Sequence, residues 1–221
     1  MIWTISGYKQ YKKCPNQWYY KNIVADGKVK NDPFRKEVTV LSRLQSLEAW
    51  RGTIVDDIIS RLLVNAINKK MPVQKAYYLQ QAEERFNRQL AYAKAKKYRN
   101  PEEDTKTSNP DFAALFDVEL GNGIMQEDVE RVRADMHDAL NNFFDDKSFI
   151  EYLQSGKLLM SQRQITYYFD RFTIRGTPDL VILFPNKAPH IFTWKFHTFG
   201  TYTYVEQLIS YAIALFKFAN T

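Results

Sequence analysis

The chain has one cysteine, Cys14, and three histidines. A lone cysteine excludes an internal disulfide and any zinc or iron-sulfur site built from several cysteines of this chain. It accords with a reducing, cytoplasmic setting. None of the three histidines has a partner at metal-ligand spacing; His137 and His197 read as surface or core-edge residues, and His190 sits beside a turn. No apolar run approaches the roughly 18 residues that a membrane-crossing helix requires. The opening MIWTISGYKQYKKC also lacks a basic start leading into an apolar core, so neither export nor membrane insertion is expected. Internal repeats and low-complexity tracts are missing as well.

Apolar material is ample. Of 221 residues, 45% are hydrophobic and 15% aromatic, which carries no disorder signature and is enough for a real core. One compact domain with helical additions is expected. Lys and Arg number 31 against 25 Asp and Glu, a formal net charge of +6 that suits a polyanionic partner without requiring one.

Along the chain the hydrophobic period changes once. Ser6 is placed to cap a short helix ending near Cys14-Pro15, since proline disfavours helical backbone in the residue before it. A kinked aromatic segment, NQWYYKNI, follows. Leu47, Ile54, Ile58, Leu62 and Ala66 recur at helical steps and predict an amphipathic helix over about 46 to 69. A second long helix is expected over 73 to 98. Its end, AYAKAKKYRN, is either a solvated basic face or a contact for phosphates and bases. Residues 99 to 123 read as a long loop with a short helix in DFAALFDVEL, and MQEDVERVRADMHDALNNFF resumes helical periodicity. Then LLMSQRQITYYF, FTIRGTPDLVILF and HIFTWKF, rich in β-branched and aromatic residues, predict three consecutive antiparallel strands. TYVEQLISYAIALFKFA returns to helix, giving a helical N-terminal half followed by β-β-β-α.

The chemistry concentrates in the β region. Hydrolysis of a phosphodiester with a divalent ion needs carboxylate oxygens for the ion and a cation near the attacking water or the developing charge. Asp179 and Lys195 supply both types. A turn over Pro185 to Pro189 pairs their strands, and side-chain alternation places residues 191, 193 and 195 on one face. Lys195 lies in an apolar, aromatic strand. It either faces a polar cavity or, as an edge-strand lysine, blocks aggregation. Gln207 and Tyr211 lie four apart on one helix face and can act as a unit or simply pack on the sheet.

These residues carry a resemblance. GTPDLVI and IFTWKF, followed by YVEQLISYAIAL, resemble the RecB/Cas4-like branch of the PD-(D/E)XK nuclease superfamily. That branch has a Gly-x-x-Asp strand, an acid-x-Lys strand and a Gln-x-x-x-Tyr helix in this order. Gly176, Asp179, Lys195, Gln207 and Tyr211 match those elements. RGTIVDDII is similar to the upstream Gly-x-x-x-His helix, with Gly52 in place and Asp56 where histidine is usual. YKKCPNQWYY is similar to the family's N-terminal segment.

The resemblance implies an α/β fold. Its core is restriction-endonuclease-like, a short mixed sheet flanked by helices and preceded by a helical N-terminal half. The whole of 1–221 would then form one nuclease-like domain with a helical insertion over about 73 to 155. It also implies a deoxyribonuclease using Mg2+ or Mn2+, with Asp56 and Asp179 as metal ligands and Lys195 orienting water. Gln207 and Tyr211 would touch nucleic acid or steady the site. DNA, and a helicase or another subunit of a DNA-processing or defence complex, would be partners.

Two positions depart from the pattern. Thr193 stands where the second metal carboxylate is usual, and a hydroxyl is a poor substitute for a charged oxygen on a hard cation. Asp56 partly compensates, because Asp56, Asp179 and Thr193 carry the same two negative charges as a neutral-histidine His-Asp-Asp set. The adjacent Asp57 points about 100° away on a helix, and Glu206 is a further candidate donor. Cys14 corresponds to the first cysteine of an iron-sulfur cluster in some relatives, but the others are missing, so no cluster is expected and Cys14 reads as a small buried residue. The alternative to an enzyme is a non-catalytic nucleic-acid-binding or assembly subunit that keeps the nuclease fold.

Overall fold

The computed structural model describes residues 2–27, 31–100, 109–121, 123–170, 172–194 and 204–219. The protein is mixed α/β, mostly helical, with two small sheets. Its chain divides into two compact units, each assembled from separate segments. The first comprises Met1–Lys13, Asp56–Gln74 and Phe144–Thr221, and the second Cys14–Val55 and Lys75–Phe143.

The second unit is helical: α2 (Pro15–Tyr19), running on as a π-helix over Tyr20–Val24, α3 (Pro33–Arg43), most of α4 (Leu47–Asp57), α6 (Lys75–Lys94), α7 (Phe116–Glu119) and most of α8 (Gln126–Asp145). Asp32 caps α3 by accepting from the Phe34 N–H, with Pro33 at the first helical position, where its missing N–H costs nothing. Trp50 and Phe86 lie 4.6 Å apart between ring centres, their planes tilted by 34°, and the buried indole donates to Gln89 at 2.7 Å. Tyr92, Tyr98 and Phe112 close a second apolar cluster with Val40 and Leu44. Cys14, expected in the core, is instead a part-exposed cap of α2 whose sulfur accepts from the Gln17 N–H. The proline that follows it opens a helix there, so the capping position takes precedence over burial.

The first unit carries the sheets. β1 (Ile2–Trp3) runs parallel to β4 (Phe172–Gly176), which pairs antiparallel with β3 (Ile165–Phe169). β5 (Leu180–Leu183) lies between β2 (Leu158–Ser161) and β6 (His190–Phe192), antiparallel to both. The helices are α1 (Ile5–Lys13), α5 (Val64–Asn68), α9 (Lys147–Gln154) and α10 (Val205–Ala219). α10 packs on β3, β4 and β6, while α5 packs on β2. Thr4, not Ser6, caps α1 by accepting from the Gly7 N–H at 2.9 Å. The helix thus begins two residues earlier than a cap at Ser6 would allow.

Two long strands expected from the sequence are each broken in two, and the breaks lie side by side. LLMSQRQITYYF stops at Ser161 and resumes at Ile165; FTIRGTPDLVILF stops at Gly176 and resumes at Leu180. Gln162 adopts left-handed backbone, φ 51°, and Pro178 has no N–H to give a ladder. Across the double break the Gln162 N–H donates to the Asp179 carbonyl at 3.3 Å. β2 and β5 therefore join one sheet and β3 and β4 the other. Within HIFTWKF the strand covers His190–Phe192, and Thr193 and Trp194 lie past its end.

The helix expected over about 46 to 69 is helical from Leu47 to Asn68 but widens to a π-helix over Ile58–Leu63. The wider turn takes up one extra residue. Past it the buried face moves from the expected Leu62 and Ala66 to Leu63, Val64 and Ile67.

Candidate functional site

Asp56 stands at the end of α4, and the π-helix that follows brings Ser60 back to it, the hydroxyl donating to Asp56 Oδ1 at 2.9 Å. Asp179 sits in the break before β5. Past the end of β6 the Thr193 hydroxyl donates to Asp179 Oδ2 at 2.6 Å and the Trp194 N–H donates to the same oxygen at 3.0 Å. The Trp194 indole N–H reaches Asp56 Oδ1 at 2.9 Å. Residues from the helix, the β4–β5 break and the end of β6 thus meet at one place within the first unit.

The two carboxylates are held in the same manner. Asp56 Oδ1 and Asp179 Oδ2 take the anchoring bonds from Ser60, Trp194 and Thr193. The other oxygen of Asp179 and both oxygens of Asp56 meet one nitrogen. Gln162 Nε2 lies 3.0 Å from Asp56 Oδ2, 3.1 Å from Asp56 Oδ1 and 3.4 Å from Asp179 Oδ1. Asp179 is steadied through one oxygen and turns the other toward the Gln162 amide, while Asp56 presents both oxygens to that neutral donor, one of them also held by Ser60 and the Trp194 indole. Donor sets of this kind, with outer hydrogen bonds orienting inner carboxylates, are the usual construction of a divalent-cation site. Two convergent acids fit Mg2+ or Mn2+ in charge and hardness, with the Gln162 amide standing where positive charge would be most favourable. No group of three His, Cys, Asp or Glu side chains among the described residues is placed to hold a metal ion.

Gly176, Gln207 and Tyr211 support this corner. Gln207 Nε2 donates to the Tyr211 hydroxyl at 2.5 Å, which donates to the Thr177 carbonyl at 3.0 Å. The ring covers Gly176 so closely that a Cβ there would come within 2.5 Å of Tyr211 Cε1. Glycine is required for that approach. Burial pushes the Tyr211 phenol up from its ordinary value, and the Asp179 charge pushes it the same way. It remains a neutral bracket holding the residues before Asp179.

Other candidates lie elsewhere. Asp57 is buried and pairs with Arg61 at 3.2 Å, which answers which of the adjacent acids faces the site. Glu206 pairs with Lys9 at 3.5 Å. His137 bonds Glu83 at 2.9 Å, and His190 bonds the Tyr152 hydroxyl. Lys195 and His197 fall outside the described residues.

Ser60, Gln162 and Trp194 are the members that sequence reasoning did not select. Ser60 lies four residues after Asp56 in helix, a readable signal. Trp194 was hidden by strand alternation, which sends residues 193 and 194 to opposite faces; the ladder ends at Phe192, so both can reach the acids. Gln162, in a stretch read as strand without a carboxylate, is visible only through the break.

Compared with protein-family models, curated proteins and solved structures, the chain matches none.

Proposed function

We propose that the protein is a metal-dependent nuclease of the PD-(D/E)XK kind that hydrolyses phosphodiester bonds in DNA, with Asp56 and Asp179 as ligands of Mg2+ or Mn2+. The observation that carries this reading is the convergence of the carboxylates of Asp56 and Asp179 on the single nitrogen of Gln162. A bound divalent ion would supply Lewis-acid polarisation of a phosphate and activation of water. The chain's own residues do the positioning. Ser60 and the Trp194 indole fix Asp56; Thr193 and the Trp194 N–H fix Asp179. Gln207 and Tyr211 clamp the turn that presents Asp179. Lys195, two residues past Thr193, is assigned the cationic role beside the attacking water on the strength of the family pattern. The net charge of +6 favours a DNA partner. A cytoplasmic protein working with a helicase or another subunit of a DNA-processing complex accords with the single cysteine and the resemblance. No helix among the described residues is long and apolar enough to cross a membrane.

One observation favours the second reading, a non-catalytic DNA-binding or assembly subunit. Thr193 spends its hydroxyl hydrogen on Asp179 and brings no charge of its own, so the pair is already satisfied by neutral donors. A cleavage assay on linear double-stranded and single-stranded DNA with magnesium and with manganese separates the two. Cleavage that is abolished in Asp179→Ala supports the enzyme. DNA binding without cleavage, in the wild type and in the Asp56→His/Thr193→Asp double variant that rebuilds the family's ligand set, supports the subunit.

A further inference from the structure

Gln162 combines three features that structural packing alone does not require together. Its backbone is left-handed, φ 51°, an uncommon conformation for a residue with a side chain and one that tends to mark functional positions. Its N–H is tied to the carbonyl of Asp179, so the residue is pinned to the acid that its side chain also serves. Its side chain is exposed, yet the amide nitrogen is directed at oxygens of two acids from different elements. A fixed backbone with an exposed side chain leaves only the side-chain torsions free to change.

The primary amide has two ends of opposite character at equal reach. Its NH2 donates, whereas its oxygen is a hard acceptor of the kind that Mg2+, Mn2+ and Ca2+ take as a ligand. With the Thr193 and Ser60 hydroxyls committed as donors to Asp179 and Asp56, the site has two charged ligands, and no third carboxylate is grouped with them among the described residues. Of the side chains bonded to the acids, Gln162 is the one whose oxygen does not belong to a hydroxyl donating to them.

We infer that Gln162 is a reversible ligand. In the cation-free protein its NH2 group closes the carboxylate pair. When a divalent ion enters, the side chain withdraws, turns its amide over and coordinates through Oε1, replacing the acid that Thr193 does not provide. The inference rests on the metal-site reading above and adds to it a residue outside the family's ligand pattern. It also gives the site a built-in selectivity: the amide competes with weakly bound monovalent cations through its two hydrogens but joins a divalent ion that can polarise its carbonyl.

The test is Mn2+ and Mg2+ binding by calorimetry on the full chain, with far-UV circular dichroism as a folding control. Wild type is compared with Asp179→Ala, Gln162→Gly and Gln162→Glu. Glycine accepts the left-handed backbone, so the truncation removes the side chain without straining the break. A reversible ligand predicts that Gln162→Gly weakens Mn2+ binding at least about tenfold, the scale already seen for outer-sphere partners, and that Gln162→Glu restores or tightens it. A mere plug gives the opposite sign, since removing a competing donor in Gln162→Gly would tighten binding; that result, or an unchanged affinity, overturns the inference while leaving the metal site standing. Wild type that binds neither ion, indistinguishable from Asp179→Ala, overturns the metal site and the inference with it. A second readout is the side-chain 15NH2 signal of Gln162, assigned by its loss in the variants. Saturation with Mg2+ should shift it as the amide exchanges donation for ligation, and an unmoved signal on a protein that binds Mg2+ counts against the turn.

Discussion

Thr193 occupies the most informative position in the molecule, because its hydroxyl holds Asp179 at 2.6 Å in the place where the resembled family carries an acid. Thr193→Asp would replace a donor with a second negative charge at that distance. In the presence of a chelator the variant should therefore be less stable than the wild type by about 1–3 kcal/mol, the cost of leaving a carboxylate oxygen without its partner and facing a like charge. Mn2+ should reverse this, since an ion that binds the folded protein more tightly adds stability by mass action. Thermal unfolding with EDTA and with Mn2+ checks the prediction. An increment from Mn2+ no larger than in the wild type would place the ion away from residue 193. If cleavage is also measured, a tenfold gain over wild type would correspond to about 1.4 kcal/mol of barrier.

At the scale of elements, the first unit is held at two points where a single side chain performs the work of a strand or a turn. Asn68, at the end of α5, donates to the Leu159 carbonyl at 2.8 Å and accepts from the Leu159 N–H at 2.9 Å. β2 is an edge strand, and this fork pairs its outer edge at Leu159 as a further strand would. Asn68→Ala should cost about 1–3 kcal/mol in urea unfolding, because both backbone groups lose their partners. The second point is Gly176 beneath Tyr211. Gly176→Ala forces a Cβ against ring carbons 2.5 and 2.7 Å away and should destabilise by about 1–3 kcal/mol through overpacking. Tyr211→Leu removes the far ring carbons, so the double variant should lose less than the sum of the two single changes. Additive losses would mean that the cost of the added Cβ does not arise from the ring.

For the whole molecule, charge and burial set the response to solution conditions. Burial holds the phenols of Tyr78, Tyr98 and Tyr211 above their ordinary value of 10.0. The folded protein keeps them neutral where the unfolded chain has begun to ionise. Their contribution is complete below pH 10.0 and declines as pH rises toward the folded values. Unfolding free energy should accordingly fall above about pH 10, and less steeply in Tyr211→Phe than in the wild type, as followed by urea titration across that range. DNA affinity, in the proposed function, should fall steeply with salt because phosphate contacts release condensed counterions. Binding that is indifferent to salt in a fluorescence anisotropy titration would rule out the phosphate-contact picture.

Local chemistry made much of this protein legible from sequence. Periodicity distinguished the helical N-terminal half from the β region, as alternating and 3.6-residue patterns follow from backbone geometry alone. The family resemblance singled out Gly176, Asp179, Gln207 and Tyr211, and Tyr211 lies against Gly176, bonds Gln207 and feels the Asp179 charge. What only the tertiary structure decided were the departures from regularity. Side by side at Gln162 and Pro178, the two strand breaks depend on pairing between segments, and a period of two runs through them unchanged. The choice of Asp56 over Asp57 rests on the Gln162 amide and Trp194 indole that reach Asp56 and on the Arg61 that takes Asp57. Trp194 and Gln162 came into the site because the strands before them end early, freeing their side chains from alternation. Local propensity acts over a few residues, whereas Asp56 and Trp194 are joined by a hydrogen bond 138 residues apart in sequence, a separation that only the fold can close.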